Sequence, residues 1–411
     1  MAAQSTIGEP RLGITAESGC WPTYLQELLL KAAVLKGTPA MDAWRKWRKE
    51  ADLDAVDFGS HRMLPQLYRN LLDHGVSDPL LPKLRGVYRY YWCKNELLLV
   101  RGAAALAAFR AANIEVIALK GSALIVSYYG DSGLRPLQDL DFLVPAPKAN
   151  QAISLLQSLG WQSIFGKAPE RLFVQHSTPF RNAERQQLDL HWHVLGNCWN
   201  WTRDERFWDR SVSVALGGQT VRALDATDQL FHVCAHGVQW NEVPPIRWIA
   251  DAMIILTRAR QPIDWERLTQ MAALHHLTLP IFEALSYLRK TFQAPVPERV
   301  TENMRRVPLT DIDRFGYRIS TQPSEDPTTG EIVRRLAYEC LQVTSTWPLM
   351  KRPRIAMKWL QFRWSAGTPW QLMTILSSRV ARHARKQATL SREPVYATLN
   401  GDGSRGIQHG D

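Results

Sequence analysis

The sequence predicts an α+β fold in which a small mixed β-sheet is flanked by N-terminal helices and by a C-terminal helical region. Apolar residues recur at helical spacing before about residue 112 and again from residue 225 onward. Between these regions, short segments alternate polar and apolar residues at the period of a strand, with glycine turns between them. This order is typical of a domain whose helices pack mainly on one face of the sheet.

Length and composition allow a sizeable core and two domains, because the chain has 411 residues, of which 45% are hydrophobic. No stretch approaches about eighteen uninterrupted apolar residues, so no transmembrane helix is expected. The five cysteines are scattered and lack the spacing of metal ligands, which is typical of free thiols in a reducing cytoplasm.

Five regions are expected along the chain. Residues 1–20 lack a basic segment followed by an apolar one, and they are expected to be a flexible leader rather than a signal peptide. A helical region at 21–112 is expected to pack on a core at 113–224 that contains the strands. A C-terminal helical region follows at 225–390, and the glycine-rich, polar tail at 391–411 is expected to be disordered.

The core is organised around residues 119–145. Residues 116–119 suit a short buried strand, and Gly121-Ser122 provides a tight turn at which a helix can begin. That helix is expected to end at Gly130. In the strand that follows, Asp139 and Asp141 share one face, because side chains alternate between the faces at a period of two.

The paired carboxylates indicate a cation site. Adjacent carboxylates repel each other, and burying them without a partner is costly. A divalent cation, Mg²⁺ or Mn²⁺, removes the repulsion, since such ions take oxygen ligands and bridge carboxylates to phosphate oxygens. An Asp-x-Asp pair alone is more often a solvated strand edge. The glycine-serine turn favours the site, because backbone N–H groups at a helix start bind phosphate, and Lys120 and Arg135 add positive charge beside it.

A third carboxylate lies about fifty residues further on. Residues 188–194 alternate again, which places Asp189 on a polar face together with His191 and His193. If this strand neighbours the strand of Asp139 and Asp141, three carboxylates converge within reach of one Mg²⁺. We expect the two strands to be neighbours.

The order of these motifs resembles that of the polymerase-beta-like nucleotidyltransferase superfamily. More closely, the chain is similar to the bacterial family of uncharacterised nucleotidyltransferases over roughly residues 60–260, through the segments LKGSAL, YYGDSGLRPLQDLDFLV, LDLHWHV, HVCAHG and IRWIADAMIIL. The resemblance implies that Asp139, Asp141 and Asp189 are metal ligands and catalytic residues, with Asp189 helping to activate the acceptor hydroxyl. It also implies that Gly121 and Ser122 hold the triphosphate of the nucleotide.

The function implied by the resemblance is transfer of a nucleoside monophosphate from a nucleoside triphosphate to a hydroxyl acceptor, with release of pyrophosphate. We expect a cytoplasmic enzyme in which Lys120, Arg135 and His191 also contact the nucleotide. The sequence indicates neither the base nor the acceptor, which is a small molecule, a sugar, a protein or an RNA. The alternative function is a catalytically silent nucleotide-binding protein that serves as a regulator or scaffold.

The histidines leave a second metal interpretation open. His176, Asp189, His191 and His193 are residue types that Zn²⁺ or Mn²⁺ accepts as ligands. A further pair, spaced i and i+4 on an expected helix that begins near Asp225 or Thr227, lacks the following Glu and a third ligand of a zinc motif. We therefore interpret that pair, His232 and His236, as packing residues, of which one reaches toward the nucleotide.

Two further features concern the C-terminal region. Residues 246–256 are apolar nearly all round and are expected to form a buried helix, in which Arg247 is the expected partner of Asp251 at i and i+4. Residues 351–392 hold ten Lys and Arg and no acidic residue. This basic segment is either a solvated helix face, a patch for a polyanion or an element that lies on an anionic membrane surface.

Overall fold

A computed structural model of the chain describes residues 19–165, 175–196, 201–322, 329–344 and 347–364, with single residues at 172, 366, 368, 370, 371, 373, 374, 377 and 378. Most of the expected leader, the expected tail at 391–411 and the basic segment from residue 379 onward lie outside the described residues. Within them, no helix is both long and apolar enough to cross a membrane.

A mixed sheet forms the centre of the molecule, which confirms the predicted α+β fold. The described residues contribute seven strands: β1 (Ile117–Leu119), β2 (Asp139–Leu143), β3 (Gln162–Ser163), β4 (Ser177–Arg181), β5 (Gln187–His191), β6 (Val212–Leu216) and β7 (Gln219–Ala223). Their order is β3-β4-β5-β2-β1-β7-β6. The pairs β2–β5 and β1–β7 are parallel, and the other neighbours are antiparallel.

Helices precede, interrupt and follow the sheet. Before it lie α1 (Tyr24–Val34), α2 (Gly37–Glu50), α3 (Phe58–His61), α4 (Leu64–Asp73) and α5 (Leu81–Ala111). Between strands lie α6 (Lys120–Leu124), α7 (Ala149–Ser158) and α8 (Trp201–Arg210). After it come α9 (Ala226–Gly237), α10 (Arg247–Arg258), α11 (Trp265–Leu274), α12 (Thr278–Phe292), α13 (Glu298–Arg305), α14 (Asp311–Thr321), α15 (Thr329–Thr344) and α16 (Arg352–Arg363).

Local signals set the ends of the predicted helices. Helix α6 continues as a π-helical turn, Ile125–Tyr129, and ends at Gly130, whose φ of 68° is the left-handed conformation that glycine adopts without strain. Helix α9 begins at Asp225, whose carboxylate accepts a hydrogen bond from the backbone N–H of Asp228. Both ends lie where the sequence predicts them.

Both faces of the sheet are covered by helices, whereas the sequence led us to expect helices mainly on one face. On the first face Leu140 and Phe142 of β2 are fully buried in a core shared with α5 and α7. On the second face Ile117, Leu119 and Leu143 belong to a larger core shared with helices from both ends of the chain. The composition of β1 explains why helices cover both faces: its residues are apolar on both sides of the sheet, so both sides are buried.

The hairpin of β6 and β7 was not predicted. Its two strands pair antiparallel through the turn residues Gly217 and Gly218, which have φ angles of 56° and 78°. A Gly-Gly pair between alternating segments is a hairpin signal, because both turn residues need positive φ. The hairpin extends the sheet beyond β1, along which β7 runs parallel.

A buried ion pair joins the loop before β2 to helix α10. The Nε and Nη2 atoms of Arg135 each donate to a carboxylate oxygen of Asp251 at 2.8 Å, and the Tyr129 hydroxyl donates to Oδ1 at 2.8 Å. The expected pairing of Asp251 with Arg247 is therefore wrong. Arg247 donates instead to the carbonyl oxygen of Pro136 at 2.7 Å, while Arg135 offers Asp251 the two-pronged geometry that suits a carboxylate.

Replacing Asp251 by Asn is expected to lower the free energy of unfolding by about 3–5 kcal/mol, because it leaves the Arg135 charge buried without its partner. Urea unfolding followed by circular dichroism measures the change. As a control, Asp42→Asn removes a carboxylate whose ion pair with Arg45 is exposed, and it should change the free energy by less than about 1 kcal/mol. Equal unfolding midpoints for the two variants would contradict the role of the buried pair.

Candidate active site

The carboxylates of the predicted site lie on neighbouring strands. Because β2 and β5 are parallel and in register, Asp141 lies directly beside Asp189, and Asp139 lies beside Gln187. On its other side Asp141 pairs with Leu119, the last residue of β1. The Asp141 side chain is only 3% exposed and that of Asp189 is 18% exposed. The prediction that the two strands are neighbours is confirmed.

Lys120 follows β1 directly and reaches Asp141. Its Nζ lies 2.7 Å from Oδ1 of Asp141. Its backbone has a φ of 47°, a left-handed conformation that is unfavourable for a residue with a side chain and that often occurs at functional sites. Burial opposes the ammonium charge, but the combined attraction of Asp141, Asp189 and Asp139 outweighs it and raises the pKa of Lys120.

His191 bridges the two carboxylates. Its Nε2 atom lies 3.1 Å from Oδ1 of Asp141 and 3.1 Å from Oδ2 of Asp189. The Ser177 hydroxyl donates to the same Oδ2 at 3.2 Å. Burial favours neutral imidazole, yet the carboxylate of Asp189 raises the pKa of His191 to about 8. Burial alone would raise the pKa values of Asp141 and Asp189. Lys120 and His191 nevertheless lower the pKa of Asp141, and His191 lowers the pKa of Asp189.

These groups fit a divalent cation. Ligand atoms of Asp141, Asp189 and His191 all lie within 4.8 Å of one another. The Oδ1 atom of Asp189 is buried without a hydrogen-bond partner, so a carboxylate lone pair is left for a ligand. Two carboxylates with an imidazole suit Mn²⁺, and the carboxylates also suit Mg²⁺.

Asp139 does not belong to this group of three. It is half-buried on the same face of β2, one alternation before Asp141. Burial, and then the charge of Asp141, raise the pKa of Asp139 to about 6. Asp139 lines a cleft next to the group, and its role as a metal ligand stays a prediction.

The cleft has a volume of about 310 Å³ and lies between the sheet and the helices of both ends of the chain. Its lining includes Asp139 and Asp141 from β2, Gly121 from α6 and His232 from α9. The cationic residues of the lining are Arg62, Lys120, Arg135 and Arg247. The sequence analysis did not identify Arg62 or Arg247 as site residues: Arg62 lies in none of the segments that carry the resemblance, and Arg247 was interpreted as the partner of Asp251.

The glycine-serine turn forms one wall of the cleft. A Cβ atom at Gly121 would lie 2.3 Å from Nη1 of Arg135 and 2.3 Å from a methyl of Leu137, so this position accepts only glycine without rearrangement. Ser122 is buried, and its hydroxyl donates to the carbonyl oxygen of Leu119 at 3.3 Å. Binding of the triphosphate by Gly121, Ser122 and Arg135 stays a prediction.

The remaining histidines lie around the site in different roles. The ring of His176 packs against that of His191 at 5.5 Å. His193 was expected on the polar face with Asp189, but β5 ends at His191, and the Nδ1 atom of His193 contacts a carboxylate oxygen of Asp204 in α8. The zinc set that includes His193 is therefore not assembled.

His232 and His236 of α9 are in contact, with ring centroids 4.5 Å apart. Both line the cleft, and the Nε2 atom of each is buried without a hydrogen-bond partner. Burial lowers the pKa of His232 to about 3 and that of His236 well below its usual value, so both rings are neutral. Both rings therefore pack together at the cleft wall, and contact of one of them with a nucleotide stays a prediction.

Comparisons with known proteins give one family. No curated protein matches the chain. Among solved structures, the solution structure of the antibiotic-resistance factor ANT(2'')-Ia is similar over 48% of this chain and 92% of that chain, with 14% identity and a TM-score of 0.29. The family model described as uncharacterised nucleotidyltransferase matches residues 59–293. This span is more than half of the 411 residues and includes the described lining of the cleft, from Gly59 to Asp251. The chain therefore belongs to the family of uncharacterised nucleotidyltransferases.

Proposed function

We propose that the protein is a metal-dependent enzyme that transfers a nucleoside monophosphate from a nucleoside triphosphate to a hydroxyl acceptor and releases pyrophosphate. The observation that carries the proposal is the parallel register of β2 and β5, which brings Asp141 and Asp189 together with His191 beside a cationic cleft. Family membership supports the reaction class. A cytoplasmic location, where nucleoside triphosphates are available, belongs to the same proposal.

The residues of the site have different roles in the proposed reaction. Asp141, Asp189 and His191 would hold the cation, Mg²⁺ or Mn²⁺, and Asp139 would add a carboxylate on the cleft side. When bound, the cation would supply positive charge that stabilises the negative charge developing in the reaction. Asp189 is the acceptor-side base, and its unpartnered Oδ1 supports this role. The acceptor oxygen bonds to the α-phosphorus, the bond to pyrophosphate breaks, and the hydroxyl proton passes to Asp189.

The glycine turn and its neighbours receive the nucleotide. Backbone N–H groups at Gly121 and Ser122 start helix α6, and such groups bind phosphate. Lys120 and Arg135 add positive charge, although in the structure Lys120 pairs with Asp141 and Arg135 with Asp251. Lys120 therefore exchanges its carboxylate partner for phosphate when the nucleotide and cation are bound.

A catalytically silent nucleotide-binding scaffold is the second candidate. One observation favours it: Lys120 and His191 already compensate the charges of Asp141 and Asp189 in the structure, so the group is stable without a cation. In this candidate the basic segment at 351–392 binds a polyanion. Turnover distinguishes it from the enzyme.

The first prediction for the proposed reaction concerns the requirement for the carboxylates of β2. Purified protein incubated with each α-labelled nucleoside triphosphate and Mg²⁺ or Mn²⁺ should transfer label to a co-purifying or supplied acceptor. Asp139→Ala and Asp141→Ala should each reduce the transfer rate by about a hundredfold or more, because charge stabilisation in the transition state is lost. Asp42→Ala, a change at an exposed carboxylate, serves as control. Equal labelling by wild type and both site variants would refute the enzymatic proposal.

A second prediction separates Asp189 from nucleotide binding. Asp189→Asn should keep the fold and the affinity for nucleoside triphosphate. It should reduce the rate of transfer by about a hundredfold or more, because an amide cannot take the proton of the acceptor hydroxyl. Circular dichroism, calorimetric titration and the labelling assay measure the three properties. Ser177→Ala removes only the hydroxyl that donates to Asp189, and its loss of activity should be less than about tenfold. Full activity of Asp189→Asn would overturn the role of Asp189.

A further inference from the structure

Two guanidinium groups in the cleft have no carboxylate partner among the described residues. Arg62 lies at the C-terminal end of α3, and Arg247 is the first residue of α10. Both side chains line the cleft that also contains Gly121 and Asp139. They therefore come from the two helical regions that enclose the sheet, and neither has a part in the roles assigned so far.

The contacts of this arginine pair leave hydrogen-bonding capacity unused. The Nε atom of Arg62 is buried and makes no hydrogen bond. Arg247 donates through Nη1 to the carbonyl oxygen of Pro136, a group without net charge. Asp251, which also lines the cleft, accepts two hydrogen bonds from Arg135 and one from Tyr129. Within the part of the chain that the structure describes, neither Arg62 nor Arg247 forms an ion pair.

The unpaired charges act on each other. Burial, and then the charge of Arg135, lower the pKa of Arg62 to about 10. Burial, Arg135 and Arg62 lower the pKa of Arg247 well below its usual value. Half-buried guanidinium groups that repel each other and form no ion pair are unfavourable, so the cleft favours a ligand that carries more than one negative charge.

The position of the arginine pair relative to the carboxylates identifies the ligand. Asp139 and Asp141 line this cleft together with the arginines, whereas Asp189 and His176 are not among the described residues that line it. In the proposed reaction Asp189 takes the proton of the acceptor hydroxyl. The cleft therefore lies on the side of the site that binds the nucleotide. Gly121, which the proposed function places at the triphosphate, lines the same cleft as the arginine pair. In the proposed reaction the α-phosphate reacts beside the carboxylates of β2, so the β- and γ-phosphates are the groups left for the two arginines.

We propose that Arg62 and Arg247 bind the β- and γ-phosphates of the nucleoside triphosphate, the part that leaves as pyrophosphate. This inference rests on the proposed function. Two guanidinium forks suit two phosphate groups, because each presents N–H donors in the geometry of paired phosphate oxygens. When the bond between the α-phosphorus and the bridging oxygen breaks, the charge that develops on pyrophosphate lies next to these two cations.

The test measures binding of inorganic tripolyphosphate to the full chain by calorimetric titration, at constant ionic strength and with EDTA present. Arg62→Gln and Arg247→Gln should each weaken binding by about tenfold or more, as expected for the loss of a charge-assisted hydrogen bond. Arg299→Gln, which removes an equal charge from an exposed position on α13, should leave the affinity within about twofold. Thermal unfolding checks that each variant is folded, and Arg62→Lys, which keeps the charge, should retain more affinity than Arg62→Gln.

A second titration uses α,β-methylene-ATP and AMP in the presence of Mg²⁺. The two Gln variants should lose affinity for the triphosphate analogue by about tenfold or more and should bind AMP as wild type does, because AMP lacks the β- and γ-phosphates. Wild-type affinity of both folded variants for tripolyphosphate and the analogue would overturn the inference. An equal loss of affinity for AMP would overturn it as well, since the arginines would then act on another part of the nucleotide.

Failure of the inference and failure of the proposed function give different results. If tripolyphosphate binding depends on the arginines but no transfer is found, the phosphate site stands and the enzymatic proposal fails. If transfer is found and Arg62→Gln and Arg247→Gln leave both the KM for nucleoside triphosphate and tripolyphosphate binding unchanged, the enzymatic proposal stands and the inference fails.

Discussion

The buried pair of Arg135 and Asp251 is the interaction on which the site depends. It fixes the loop before β2 against α10, and Asn95 of α5 holds the same loop by donating to the carbonyl oxygen of Arg135 at 2.9 Å and accepting from the N–H of Leu137 at 3.0 Å. The Arg135 guanidinium then lies against Gly121, where no side chain fits. One ion pair therefore sets the start of the Asp-x-Asp strand, the glycine turn and the helix that closes the cleft. A buried pair of this kind adds little net stability compared with apolar packing, but losing one partner is costly, so its value here is in fixing the geometry.

Charge is separated within the site, and the separation follows from the fold. At the sheet, two carboxylates are compensated by Lys120 and by His191. At the helical wall, Arg62 and Arg247 form no ion pair within the described part of the chain, because the acid of that wall, Asp251, pairs with Arg135. A divalent ion can therefore take the place of the cationic partners at the carboxylates of the sheet. A phosphate can supply the anion that the two arginines of the helical wall lack. A nucleotide bound with its cation satisfies both requirements at once, whereas a neutral ligand satisfies neither.

The parts of the site that the sequence predicted are those in which position along a strand determines the outcome. Period-two alternation was sufficient to place Asp141 and Asp189 on polar faces, and their neighbouring strands then brought them together. The ends of α6 and α9 followed from a glycine and a capping Asp. The β6–β7 hairpin had a local signal in Gly217 and Gly218, and it was overlooked.

Other parts could not be predicted from local pattern. The partner of Asp251 lies 116 residues away in the chain, while the i,i+4 spacing offered Arg247 as an apparent solution. Arg62 gives no sequence signal, because its importance arises only when α3 and α10 enclose the same cleft. His193 was misplaced because alternation was extended past His191, where the strand ends and the chain turns toward Asp204. Each error came from treating a tertiary contact as if it were set by local spacing.

Asp139 shares a face of β2 with Asp141, yet the group of three contains His191 and not Asp139. The side-chain atoms that lie within 4.8 Å of one another are those of Asp141, Asp189 and His191. The parallel register brings β5 closer: Asp189 lies beside Asp141, and His191 follows on the same face. Asp141 thus belongs to two neighbourhoods, one with Asp189 and His191 and the other with Asp139 and the cationic cleft. In the reaction that we propose, the nucleotidyl group moves from the second neighbourhood to the first, and Asp141, held by Lys120 at 2.7 Å, lies between them.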